Sequence, residues 1–579
     1  MPEYLSPGVY VEEFDSGSPA LADVSTSTAG FLGVAQKGPT AGLPQLVTSF
    51  ADFQRQYGSY LSENACGPYR FLAYAVDHFF QNGGSRAYIM RVAPGDAKMA
   101  TNATPDKSVL HIQAANPGAW GNQIRVRVTP ASKAKTQIKA IIGDPDTSKK
   151  YQVKSCAGFN PGDRVIFVGD NGLQYNQVVT SQDDIIEMAE PFDGGKAVID
   201  TNLLPQKVLK TAEFTLEIYF GDEAETFSNL SLNGAASNHV DKVLTRSNII
   251  AVQDVSAGGA MTSSTPFQAI SGLDDDEGMY EIELSGGSDG TVDQLTTEFI
   301  GADHGPGKRT GIAAFVDNDE VSIIAAPGIT DPNVQLSLVA HCENLKSRFA
   351  ILDIPVEKTK VQDVESHRNI FDTSYAALYH PWLQVFDPLE RRNVFLPPSG
   401  SMAGIYARSD NSQGVHKAPA NEVVRRTVGL SVQYNKGEQD ILNPKGVNLI
   451  RYFTGQGIRV WGARTASSNS LWKYVNVRRL FIFLEESIKR GTNWVVFEPN
   501  DERLWARVHR TIDGFLTGVW RNGALEGSTP AEAFYIRIGR DTMLQDDIDN
   551  GRLICIIGVA PVKPAEFVIF RITQKTREQ

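Results

Sequence analysis

Cysteine is scarce in this chain of 579 residues: Cys66, Cys156, Cys342 and Cys555 are the only ones, and no two stand as a CxxC pair. That argues against a disulfide framework and a zinc ribbon and suits folding in a reducing cytosol. A basic excess is also missing. Lys and Arg total 55 against 67 Asp and Glu, a formal net charge of -12, whereas wrapping nucleic acid needs a dense cationic surface. No apolar run approaches the length that spans a bilayer. Met1-Pro2-Glu3-Tyr4 opens with no basic stretch leading into an apolar one, so no signal peptide is expected. The nine histidines are scattered, with no HExxH and no tight His/Cys/Asp group.

The near-motifs fail on chemistry. Gly305-Pro306-Gly307-Lys308-Arg309-Thr310 has a phosphate-loop flavour, but the Walker pattern needs Gly where Ala302 stands and Ser or Thr where Arg309 stands. Gly311 to Phe315 then looks like a strand entry and not a helix start. The Gly-rich run Leu284 to Gly290 has no GxGxxG and is read as a turn at a domain seam. His341-Cys342 lies on a helix, where packing explains it better than metal. Catalytic residues, cofactors and metal ligands are therefore all expected to be none.

What is present is an α/β and α+β multidomain pattern. Phe31 to Ala35 and Ala87 to Val92 are strand-like. Between them Phe71, Leu72, Ala75, Val76, Phe79 and Phe80 recur at helical spacing, and Asn82-Gly83-Gly84 stops the helix. From about 97 to 300 short β-like runs alternate with Gly, Asp, Ser and Asn, as in Gln123 to Thr129, Arg164 to Val168, Gln177 to Thr180 and Glu213 to Phe220. This reads as one or two β-rich inserted domains. The α/β character returns with the strand Val321 to Ala326, the Pro327-Gly328 turn, a helix capped by Asp331 with Pro332 in its first turn, and the strand Phe349 to Ile354. That spacing predicts a parallel, right-handed crossover. Two amphipathic helices come next. Val477, Leu480, Phe481, Leu484 and Ile488 line the first; Trp505, Val508, Ile512, Phe515, Leu516 and Val519 line the second, which also carries a basic stripe of Arg503, Arg507 and Arg510.

Both ends of the chain read as strands beside tethers. Pro7-Gly8-Val9-Tyr10-Val11-Glu12 alternates with period two. Leu553-Ile554-Cys555-Ile556-Ile557 is apolar on both faces, the mark of a central strand, and Phe567-Val568-Ile569-Phe570 with Ile572 forms the last run. The last strand has two options: a hairpin back onto 553–559, or addition to the sheet of a neighbouring copy. Backbone hydrogen bonds net about 1 kcal/mol each, while ordering each residue costs about 1–2 kcal/mol. Apolar burial of Val568, Phe570 and Ile572 must then supply the surplus, about 1.5–3 kcal/mol apiece.

The run Tyr375 to Leu383 with Pro397-Pro398-Ser399-Gly400, then Ala403 to Asp410 and Gly414 to Asn421, resembles the phage tail sheath family. The likeness continues through Leu442-Asn443-Pro444, Asn448 to Arg451, Val460 to Thr465, Trp472, Tyr474 to Leu480 and Phe497 to Asn500, and includes Ser6 to Glu13 and Asn116 to Asn122. It implies a helical polymer of this chain around an inner tube, built extended on a baseplate, closed by terminator or cap proteins, and contracting to drive the tube through a target envelope. No direct nucleic-acid contact and no stable membrane insertion are implied. Assembly would take place in the bacterial cytoplasm, and the product would be a virion tail or a released contractile particle. The resemblance further implies an N-terminal arm (1–30), an α/β core from two stretches (31–96 and 301–400), β-rich outer insertions (97–300), a tube-proximal inner domain (401–564) and a C-terminal arm (565–579). It favours strand addition, with Leu553 to Ile557 as acceptor. Arg503, Arg507 and Arg510 are candidates for facing an acidic tube surface, and a solvated helix face is the alternative reading of the same stripe. Two rivals stand beside this reading: a bacteriocin-like or injection-particle sheath, and an α/β enzyme with a β-rich binding insert. The two-chain sheath of the type VI secretion system fits less well, because one chain here carries both arms.

Overall fold

In the computed structural model of the chain, the described residues are 21, 24–102, 109–144, 147–169, 172–192, 208–254, 264–273, 278–567 and 569. Strand-forming runs from two distant stretches meet in one sheet of eight strands. They are β1 (Ala29–Val34), β2 (Gln45–Val47), β3 (Ala87–Val92), β4 (Ile323–Ala325), β5 (Phe349–Asp353), β6 (Ala376–His380), β7 (Val447–Phe453) and β8 (Gly457–Val460). The order is β2-β3-β1-β4-β5-β6-β7-β8. All pairs from β3 through β7 are parallel, and only β2 and β8 run antiparallel at the edges. Every residue of β1, β4, β5 and β6 is buried, as a parallel sheet covered on both faces requires.

Among the helices that frame the sheet and the C-terminal body are α1 (Leu72–Gln81), α2 (Pro332–Leu345), α3 (Ser399–Gln413), α4 (Val475–Gly491) and α5 (Glu502–Arg521). The crossover from β4 through α2 to β5 is parallel, as the spacing predicts, and Asp331 caps α2 by accepting from the Asn333 N–H. α1 lies directly on α3 because α3 offers glycine at two successive turns. A Cβ on Gly400 would stand 2.5 Å from the Ala75 backbone, and one on Gly404 would stand 2.5 Å from the Phe79 carbonyl oxygen. The strand entry expected at 311–315 is instead a 3-10 helix, Gly311–Asp317. Gly311 takes a left-handed φ of 53° and the Ala314 N–H bonds the Thr310 carbonyl, so the chain coils where its apolar residues suggest extension.

Between β3 and β4 the chain builds a four-stranded antiparallel sheet from Arg125–Ala131, Glu213–Phe220, Glu223–Leu230 and Tyr280–Glu283, beside a ribbon of Leu110–Ala114 and Ile250–Asp254. Nested within it, the strands Lys135–Ile142, Lys150–Val153, Arg164–Gly169, Gly172–Gln182, Ile185–Met188 and Val208–Thr211 close into a barrel around Ile138, Val153, Phe167 and Ile186. The buried Arg91 guanidinium stitches the sheet to this region, donating to the carbonyls of Ala35, Gly38 and Pro117.

After β8, α4 and α5 pack over a separate apolar cluster with β9 (Phe534–Ile538) and β10 (Cys555–Val559). Among the described residues no helix is long and apolar enough to cross a membrane.

Candidate assembly interface

The expected acceptor run Leu553 to Ile557 becomes β10 only from Cys555 onward; Leu553 and Ile554 lead into it. The expectation of a central strand is corrected. β10 pairs antiparallel with β9, from Phe534 opposite Val559 to Ile538 opposite Cys555, and no third strand joins the two among the described residues. The alternation explains the difference. Cys555, Ile557 and Val559 turn toward the α4–α5 cluster, while Ile554 and Ile556 stay 37% and 43% exposed. A strand that reads as apolar on both faces is thus covered on one.

The C-terminal segment is held at Glu566. Glu566 accepts two hydrogen bonds from Arg464, at 2.8 and 2.6 Å, one from Asn443 at 2.8 Å and one from the Tyr474 hydroxyl at 3.2 Å. Partial burial alone would push the Glu566 carboxyl up; the Arg464 bonds, with those of Asn443 and Tyr474, outweigh it and hold the group below the ordinary glutamate range. Beyond this clamp Phe567 is 74% and Ile569 80% exposed. Val568, Phe570 and Ile572 lie outside the described residues, as do Pro7, Gly8, Val9, Tyr10, Val11 and Glu12 at the other end.

The N-terminal segment, where it is described, runs along α4. Leu21 lies against Gly491, the Val24 N–H bonds the Ser487 hydroxyl, and Thr26 donates to Asp410 while its carbonyl accepts from Arg479. The Arg479–Asp410 pair itself is bidentate at 2.9 and 2.6 Å, with both side chains only 3% exposed.

The basic stripe divides. Arg503 and Arg510 stand exposed on α5, whereas Arg507 is drawn into a 2.9 Å ion pair with Glu498 and stacks over the Trp494 ring. The crevice where an α/β enzyme would hold its ligand is filled with protein. Asp353, at the end of β5, accepts from the Gly328 N–H, the Ser399 N–H and the Ser399 hydroxyl, and the Phe71 ring lies against Gly328. Burial pushes the Asp353 carboxyl up to about 6. His341 faces Arg348 at 3.2 Å, and burial pushes the neighbouring Cys342 thiol up to about 12. Among the described residues no cluster of three His, Cys, Asp or Glu is placed to hold a metal.

Arg464, Tyr474 and Arg479 stand inside longer sequence motifs that give no sign of what they hold. No local pattern ties residue 464 to residue 566 or residue 479 to residue 26.

The phage tail sheath protein central domain matches residues 304–466, and the phage tail sheath C-terminal domain matches residues 467–575, so the two abut across β8 to α4. The chain belongs to the phage tail sheath family. Within that family the tail sheath protein of Escherichia phage P2 is 25% identical over 296 residues, covering 49% of this chain and 72% of that one. The contracted helical sheath of the anti-feeding prophage shares 21% identity at a TM-score of 0.52, over 98% of this chain and 99% of that one. The contracted PVC sheath of an extracellular contractile injection system shares 20% at 0.51, over 99% of each chain. At these identities the two structures speak to the sheath fold, and they match it along nearly its full length.

Proposed function

We propose that this chain is the structural subunit of a contractile sheath, polymerising helically around an inner tube and shortening to drive that tube through a target envelope. The observation that carries this is the pair of sheath domains running without a break from 304 to 575. The β9–β10 ribbon, which no third strand joins among the described residues, the part-exposed Ile554 and Ile556, and the exposed Phe567 and Ile569 support the finer reading that chain ends add strands to neighbouring copies. Extended edges and exposed aromatics are liabilities in a free monomer and are relieved in a lattice. On this reading 97–300 face outward, the inner domain 401–564 faces the tube, and baseplate and terminator proteins bound the polymer's two ends. Work comes from the free-energy difference between two packings summed over many copies, which requires no nucleotide.

The plugged crevice at Asp353 leaves the enzyme reading without a site there. Sedimentation of the purified chain checks the choice. A sheath subunit runs as large polymers in a concentration-dependent way; a monomer at every concentration that carries a bound cofactor would favour the enzyme.

A further inference from the structure

We propose that α4 is the strut joining the two ends of each subunit, so that tension entering through one terminal segment leaves through the other without crossing the outer insertions. This rests on the reading that terminal segments link neighbouring copies.

α4 has 17 residues, about 26 Å of helix at roughly 1.5 Å per residue. The C-terminal segment is fastened at its start. Tyr474, the N-cap, bonds Glu566, and Asn476 donates to the Val562 carbonyl at 3.2 Å while Arg464 grips Glu566 with two bonds. The N-terminal segment is fastened along the remainder, at Arg479 through Thr26, at Ser487 through Val24 and at Gly491 through Leu21. The last contact is close: a Cβ at residue 491 would stand 1.6 Å from a Leu21 methyl, so a side chain there displaces Leu21. The helix is also bound to the core: the Arg478 guanidinium stacks 3.6 Å from the Trp472 ring centre and 4.5 Å from that of Tyr375, and its Nε donates to Ser374. Bidentate Arg–carboxylate pairs are directional as well as strong, which suits a joint that must hold its angle under pull. Arg464, Glu566 and Gly491 are thus positioning residues for transmission between copies.

The test uses the full chain and compares the melting of the free subunit with the rate at which assembled sheaths fall apart in urea. Glu566→Gln and Gly491→Val are expected to leave the free subunit's melting temperature close to wild type yet to speed sheath disassembly by about tenfold, the scale of a lost charged hydrogen bond. Exchanging the pair, Arg464→Glu with Glu566→Arg, is expected to restore most of the durability. Wild-type durability in both single variants overturns the inference. So does a loss of subunit melting temperature in proportion to the loss of durability, which would mark the contacts as ordinary fold contacts. If Glu566→Gln does not fold, the exchanged pair decides: durable sheaths support the strut and fragile ones from a normally melting subunit overturn it. A chain lacking 570–579 keeps Glu566 and separates the two levels. If it polymerises like wild type, the linking reading itself fails and the strut falls with it. If it does not polymerise while Glu566→Gln sheaths resist urea like wild type, only the strut is wrong.

Discussion

Four histidines sit in the interior as neutral rings, each with a specific polar neighbour. His78 meets the Ser401 hydroxyl, His341 meets Arg348, His367 meets Gln335 and His380 meets the Tyr434 hydroxyl. Burial lowers them to about 4, 3, 4 and 3 respectively. The unfolded chain takes up these protons below about pH 6.5 and the folded one does not, so their contribution is complete at neutral pH and is lost as pH falls. Asp353 acts in the opposite sense. Its folded carboxyl keeps a proton up to about pH 6, while the unfolded one releases it near pH 4, so acid favours the fold through this group. Each fully engaged group is worth about 1.4 kcal/mol per pH unit, and four histidines outweigh one aspartate. The subunit's melting temperature is therefore expected to fall between pH 7.5 and pH 4.5, as differential scanning calorimetry would show. Asp353→Asn removes one opposing group, so its melting temperature should fall more steeply over the same range. A flat profile in both proteins would contradict these assignments.

At the scale of elements, legibility follows period and distance. The stripe of α5 is readable because Trp505, Val508, Ile512, Phe515, Leu516 and Val519 repeat at 3.6 residues, and all six are buried. The β4–α2–β5 crossover is readable because its caps and turn are local. The barrel is not. Its closure depends on Val208–Thr211 pairing with both Lys135–Ile142 and Arg164–Gly169, and alternation in short strands does not say which partner each takes. The 3-10 turn at 311–317 reads wrongly as a strand because apolar residues at one glycine's left-handed start look extended. At the interface, the run at 553–557 is visible in the sequence, but its two apolar faces do not say that its own subunit covers only one. The close approach of α1 and α3 has a sequence sign in the four-residue spacing of Gly400 and Gly404. Gly400→Ala or Gly404→Ala is expected to cost about 1–3 kcal/mol by overpacking. Urea denaturation of the free subunit measures this, and full stability in both variants would mean the helices part more easily than their contacts suggest.

For the whole molecule, the resemblance carries the functional reading and composition only sets bounds. Scarce cysteine and a negative net charge narrow the field, but no spacing in the sequence distinguishes a lattice-forming chain from a monomer. The exposed Arg503 and Arg510 make the inner-domain proposal testable by itself. Arg503→Glu with Arg510→Glu is expected to leave empty sheaths forming while reducing the fraction loaded on tubes, counted by electron microscopy of co-expressed particles. Unchanged loading would remove these two residues from the tube contact. The central claim, that each copy completes itself only by lending chain ends to others, is tested most directly by negative-stain microscopy of the purified chain beside a version lacking 565–579. Striated tubes from the first and none from the second are predicted; equally ordered tubes from both would contradict it.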